Sequence, residues 1–147
     1  MDRPVRIGVI GVGSLGFHHA RLSSQLPGAL LVGVHDADPA RATEVGSQLG
    51  VEVVADRDRL LDEVDAAVVA VPTTAHEEVA LAAIERGVHV LIEKPIAPTL
   101  EAADRILEAA RAAGTLVQIG HVERFNGVLR ACEPYLDEPL FVESHRL

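Results

Sequence analysis

The feature that most narrows the possible folds is the hexapeptide Gly11-Val12-Gly13-Ser14-Leu15-Gly16, set between an apolar run at 5–10 and a stretch of helical character. Glycines at that spacing suit a chain that turns sharply out of a strand and straight into a helix. The first permits the tight turn, the second lets the backbone approach a pyrophosphate, and the third lets the helix pack against the strand. Amides at the helix start, reinforced by its dipole, then face the phosphates. Twenty positions after Gly16, at the end of the next apolar run, stands Asp36. A carboxylate there can accept hydrogen bonds from both hydroxyls of an adenosine ribose and would repel a 2′-phosphate. Gly11, Gly13, Ser14, Leu15, Gly16 and Asp36 are therefore the expected contacts of a dinucleotide. Ala37 follows Asp36 where an arginine would suit NADP, so NAD is favoured, while Arg41 is near enough to keep NADP open.

The remainder of the chain repeats the same alternation. Short apolar runs at 5–10, 29–34, 51–54, 66–71, 88–92 and 116–119 read as strands. Ala66-Ala67-Val68-Val69-Ala70-Val71 is apolar at every position, as expected of a strand covered on both faces in a parallel sheet. Helices are expected between the runs. Asp38-Pro39 reads as an N-cap followed by proline at the first helical position. Thr74-Ala75-His76-Glu77 has capping-box spacing. Pro98-Thr99 precedes an alanine-rich stretch at 100–113, which Gly114 closes. Strands joined by helical crossovers make an α/β fold with a doubly wound parallel sheet.

Length and charge set the limits. The 147 residues suffice for one domain with a real core, built from Val, Leu, Ile and Ala because tryptophan is absent. A formal charge of −9 argues against nucleic acid and anionic membrane surfaces as partners. It leaves room for a small anionic cofactor held locally by backbone amides. Cys132 is the only cysteine, so no internal disulfide is expected, and it reads as a small buried residue. No metal site is expected. The opening residues lack a signal-peptide core and no run approaches the ~18 apolar residues of a membrane span, so a cytoplasmic location is expected.

Lys94 is the single lysine among thirteen basic residues, the rest being arginine. Lysine carries a compact ammonium whose pKa moves with its surroundings, whereas guanidinium stays charged. A site that handles a proton near neutrality therefore takes lysine. Glu93-Lys94-Pro95 ends the fifth expected strand, on the same sheet edge as the glycine turn. From there Lys94 can orient or polarise a substrate hydroxyl and join a proton relay beside a nicotinamide. Glu93 and Lys94 are both expected cofactor contacts, and Glu93 reads otherwise as a local charge partner of Lys94. At the end of the fourth strand, Pro72 and Thr73 are expected to touch the cofactor. His76 is either a solvent-facing or capping histidine or a further cofactor contact.

Gly11-Val12-Gly13-Ser14-Leu15-Gly16, Asp36, Val71-Pro72-Thr73 with His76, and above all Glu93-Lys94-Pro95 resemble, in order, the Gfo/Idh/MocA oxidoreductases. The resemblance implies an N-terminal Rossmann domain that binds NAD or NADP, with Lys94 on the family's catalytic lysine and a cis bond before Pro95. It also implies a second α/β domain that supplies substrate contacts and usually drives oligomerisation. Gly120-His121-Val122-Glu123-Arg124-Phe125-Asn126 is similar to the branch that oxidises nucleotide sugars, such as UDP-N-acetylglucosamine 3-dehydrogenases, which makes His121, Arg124 and Asn126 candidate substrate contacts. Relatives often have proline after the asparagine, where this chain has Gly127. Arg124 reads equally as a partner of Glu123 or another carboxylate.

Residues 1–120 are thus expected to form the dinucleotide-binding unit. Residues 121–147 are expected to be a linker helix and the first strand, at 140–147, of a largely missing substrate domain, with a boundary near Asp137-Glu138-Pro139. The expected activity is hydride transfer between a sugar or nucleotide-sugar secondary alcohol and a nicotinamide. The alternative is an NAD-binding module without turnover. A methyltransferase also carries a glycine-rich loop and an acidic residue after its second strand, but it would give Lys94 no special role.

Overall fold

The structure is a computed structural model that describes residues 3–136, 138, 141, 143 and 145. Strand β1 (Val5–Ile10) runs through the glycine turn into helix α1 (Ser14–Ser23), followed by β2 (Ala29–His35), α2 (Pro39–Leu49), β3 (Glu52–Val53), α3 (Arg57–Asp62) and β4 (Ala66–Val69). A 3-10 turn (Thr73–Ala75) leads into α4 (His76–Ile84), then β5 (His89–Ile92), α5 (Leu100–Ala113) and β6 (Val117–Ile119). A second 3-10 turn (Val122–Phe125), helix α6 (Gly127–Cys132) and a last turn (Glu133–Tyr135) complete the described elements.

The six strands form one parallel sheet in the order β3-β2-β1-β4-β5-β6. The winding direction reverses between β1 and β4, which opens a crevice beyond the carboxyl ends of the strands. Register pairs His35 with Ile10, Ile10 with Val69, Val69 with Ile92 and Ile92 with Ile119. That single row ends five strands together. The segments that follow it, at Asp36, Gly11, Ala70, Glu93 and Gly120, consequently share one rim.

The sheet is covered on both faces. Leu60, Leu61, Val79, Ile84 and Ile106 form the core beneath α3, α4 and α5. Val9, Val12, Ala20, Val34 and Val45 pack beneath α1 and α2. The unalternating run on β4 is explained by its central place between β1 and β5.

Several local expectations are corrected. The strand foreseen to Val71 ends at Val69, because beyond it the backbone turns against Gly11. The Thr74–Glu77 capping box does not form: α4 has no side-chain cap, and Glu77 instead receives a two-pronged bond from Arg105 of α5. That guanidinium holds the Glu77 carboxyl below its ordinary range. Helix α3 was not foreseen, since six residues are too few for a periodicity; Asp56 caps it by accepting from the amides of Asp58 and Arg59. Cys132 is exposed, because α6 packs chiefly against the short turns on either side of it and reaches neither core cluster. The strand expected at 140–147 falls largely outside the described residues. Among the described residues no helix is long and apolar enough to cross a membrane, and no cluster of His, Cys, Asp or Glu could hold a metal.

Candidate cofactor and active site

The glycine turn is shaped as its spacing requires. Gly11 has φ +84°, and a Cβ there would lie 2.7 Å from the Ala70 and Val71 backbone. A Cβ at Gly16 would lie 1.8 Å from the Gly11 carbonyl oxygen. These two glycines let the turn and helix press against the end of β4. Gly13 differs: nothing lies within 4 Å of its Cβ position, and it starts α1 with no side-chain cap. The first-turn amides of α1, at Ser14, Leu15 and Gly16, are therefore left for something outside the protein. Open space before an uncapped helix start fits a pyrophosphate.

Asp36 stands beside this turn. Its Oδ2 accepts from the Val12 amide at 2.7 Å and its Oδ1 from the Asp38 amide at 2.9 Å. Each oxygen keeps a lone pair for a ribose hydroxyl. Gly11, Gly13, Asp36, Ala37 and Pro72 line a cavity of about 510 Å³, with Arg57 and Glu78 joined across 2.7 Å at its side. Glu78 and Asp58 together hold the Arg57 guanidinium above its ordinary range. The pairing of Arg57 with Glu78 was missed in the sequence because the two lie on different helices. Arg41 is spent elsewhere: Nε donates to the Val12 carbonyl and a terminal nitrogen to Glu44, with the guanidinium 6.0 Å over the Phe17 ring.

Thr73 sits in the 3-10 turn beside this cavity, half-buried. His76 is neither solvent-facing nor a cap. It is 1% exposed and lines neither cavity at the rim. Its Nδ1 lies 2.9 Å from the Pro95 carbonyl oxygen and its Nε2 3.0 Å from that of Val71. The ring thus ties the loop after β4 to the loop after β5, a tertiary role that its place in the sequence does not reveal.

Glu93 and Lys94 follow β5 with opposite fates. Glu93 is 6% exposed, and Lys94 is exposed. The Lys94–Pro95 bond is cis. Lys94 lines a cavity of about 1220 Å³ together with His121, Glu123, Arg124, Arg130 and Glu133. Among the described residues no ion pair engages Arg124 or Arg130. Glu123, the expected partner of Arg124, instead accepts from Asn126 Nδ2 at 2.7 Å. Asn126 Oδ1 accepts from the Val128 amide and caps α6, so both ends of that amide face local partners. Gly127 takes the first helical position, where proline would also fit. Arg130 went unread because only the helical turn of α6 brings it beside Arg124.

A parallel sheet in this order, with an uncapped glycine turn at the switch point and an acidic residue closing β2, defines a dinucleotide-binding Rossmann domain. A family model described as "oxidoreductase family, NAD-binding Rossmann fold" matches residues 5–121. The chain belongs to this family, the Gfo/Idh/MocA oxidoreductases. It is 37% identical over 144 residues to UDP-N-acetylglucosamine 3-dehydrogenase of Acidithiobacillus ferrooxidans, covering 97% of this chain and 45% of that protein. It is 42% identical over 130 residues to inositol 2-dehydrogenase 4 of Saccharopolyspora erythraea, covering 85% of this chain and 38% of that protein. The solved Acidithiobacillus enzyme superposes with a TM-score of 0.85 over 92% of this chain and 44% of its own. GenD2 from gentamicin A biosynthesis, solved in complex with NAD, superposes with a TM-score of 0.86 at 30% identity, over 93% of this chain and 40% of its own. The chain therefore spans less than half the length of the relatives it matches.

Proposed function

We propose that these residues are the cofactor-binding part of an NAD-dependent dehydrogenase that oxidises a secondary alcohol of a nucleotide sugar. The observation that carries this reading is the shared rim. Lys94, the sole lysine, opens at the same sheet edge as the uncapped glycine turn and Asp36, into a cavity with two guanidiniums. A nicotinamide held there would supply the hydride acceptor. The protein's residues do the rest. The first-turn amides of α1 hold the pyrophosphate, and Asp36 holds the adenosine ribose. The Lys94 side chain hydrogen-bonds the substrate hydroxyl, orients the alcohol and relays its proton to solvent as the hydride leaves the carbon. Because Asp36 repels a 2′-phosphate and Arg41 is committed to Val12 and Glu44, NAD is preferred over NADP.

Arg124 and Arg130, flanking Lys94, favour an anionic substrate over a neutral polyol such as inositol, since paired guanidiniums match phosphate oxygens. His121 lines the same wall, and Asn126 supports it from the cap of α6. We place the end of the dinucleotide unit at Gly120 and assign the remaining substrate contacts and homo-oligomerisation to the rest of a longer protein. The 147 residues alone are expected to bind NAD without turnover.

The test uses the longer protein. Lys94→Ala should lower turnover by about a hundredfold or more and leave NAD affinity nearly unchanged. A loss confined to NAD affinity would remove the catalytic role. NADH formation with UDP-N-acetylglucosamine but not myo-inositol is expected; the reverse preference would overturn the substrate class.

A further inference from the structure

Glu93 poses a problem that its neighbours solve. A carboxylate 6% exposed needs partners for both oxygens. Oε2 accepts from the backbone amide of Lys94 at 3.2 Å. Oε1 lies 2.8 Å from Nε2 of His19, on α1, and that nitrogen carries the hydrogen because an ionised carboxylate only accepts. A Cβ at Gly120 would stand 3.0 Å from Oε1, so β6 closes over the carboxylate only where a side chain is missing. His19 lies three residues after Gly16, one turn along the helix whose uncapped first turn opens at the glycine loop. A continuous path therefore runs from that helix through His19 and Glu93 to the Lys94 backbone.

We propose that His19 is a positioning residue for Lys94: by holding Glu93, it fixes the lysine's backbone relative to the helix that seats the cofactor. The inference rests on the reading of Lys94 as the side chain that handles the substrate hydroxyl. A lysine on a flexible stem gains a defined reach only if its Cα is fixed, and an error of about 1 Å in such a group can cost on the order of a hundredfold in rate. The two fully buried residues of α1, Gly16 and Ala20, carry no polar group that could do this.

Two measurements test it. Lys94 is the only lysine, so selective 15N-lysine labelling of this chain gives a single backbone amide signal, that of the bond to Glu93. His19→Ala should shift that signal and speed its hydrogen exchange by about tenfold, while His19→Gln, whose amide reaches the Nε2 position, should restore it. In the longer enzyme, His19→Ala should lower kcat by about tenfold to a hundredfold, with NAD affinity changed less than about twofold, and His19→Gln should recover most of the loss. If His19→Ala does not fold, His19→Gln against the shorter His19→Asn makes the same comparison. An unmoved Lys94 amide overturns the proposal, as does glutamine performing no better than alanine or asparagine. If Lys94→Ala stops turnover while the His19 variants match wild type, the dehydrogenase reading stands and this inference falls. If no alcohol is oxidised by wild type, the dehydrogenase reading falls, while the amide signal still reports on the His19–Glu93–Lys94 path.

Discussion

Replacing Asp36 by alanine separates the two nicotinamide cofactors. In the structure its carboxylate already holds the amides of Val12 and Asp38 at 2.7 and 2.9 Å, leaving one lone pair on each oxygen for the ribose. A hydrogen bond to a charged group contributes roughly 1.5–3 kcal/mol. Losing two ribose contacts, partly replaced by water, should cost about 3 kcal/mol, which at ~1.4 kcal/mol per decade raises the Kd for NAD roughly a hundredfold. NADP should respond in the opposite sense. Removing a negative charge a few ångströms from a 2′-phosphate relieves a repulsion of roughly 1–4 kcal/mol, depending on how well solvent screens it. The Val12 amide also loses its partner, so stability should fall by about 1 kcal/mol. Titration calorimetry of wild type and Asp36→Ala with both cofactors, alongside a thermal melt, measures all three effects. An NAD affinity within about twofold of wild type, in a variant that melts normally, would refute the ribose assignment.

The glycine turn offers a contrast within six residues. Gly16→Ala places a Cβ 1.8 Å from the Gly11 carbonyl oxygen and should destabilise the fold by about 3 kcal/mol or more in urea denaturation. Gly13→Ala meets nothing within 4 Å and should melt like wild type, yet bind NAD more weakly by calorimetry because its methyl enters the phosphate space. His76→Ala should cost about 2–4 kcal/mol in denaturant, since it removes a ring that is 1% exposed, opens a cavity and breaks the contacts with the Val71 and Pro95 carbonyls. The Asp65 carboxyl is held below its ordinary range chiefly by the Arg6 backbone amide, then by the side chains of Arg6 and Arg3. A depressed carboxyl stabilises the fold above its unfolded pKa, and that contribution disappears as pH falls through the folded value. Asp65→Asn should therefore melt lower than wild type at neutral pH, with the gap closing as pH falls below about 4.

Much of the candidate site's placement was legible because its backbone geometry is local. A glycine turn needs three small residues at fixed spacing, and parallel strands place every strand end at one rim. Gly11, Gly16, Asp36 and Lys94 could thus be assigned to a common edge from order alone. The cap at Asp38 and the helix of 100–113 with its closing Gly114 were equally readable, because caps are decided within one turn of backbone. Short elements escaped: α3 has too few residues to display a period, and Thr74 lost its capping partner when Glu77 found Arg105 on another helix.

What tertiary structure alone decided is how polar side chains are paired. Sequence order says that His76, Glu93 and Arg41 lie near the rim. It does not say that His19 meets Glu93 across 74 positions, that His76 joins two loops while buried, or that Arg41 bonds the Val12 carbonyl and Glu44. Backbone conformation follows from neighbours a few residues away, so a single chain reveals it. A hydrogen bond between elements depends on which faces the completed sheet brings within about 3 Å, and that distance exists only after folding.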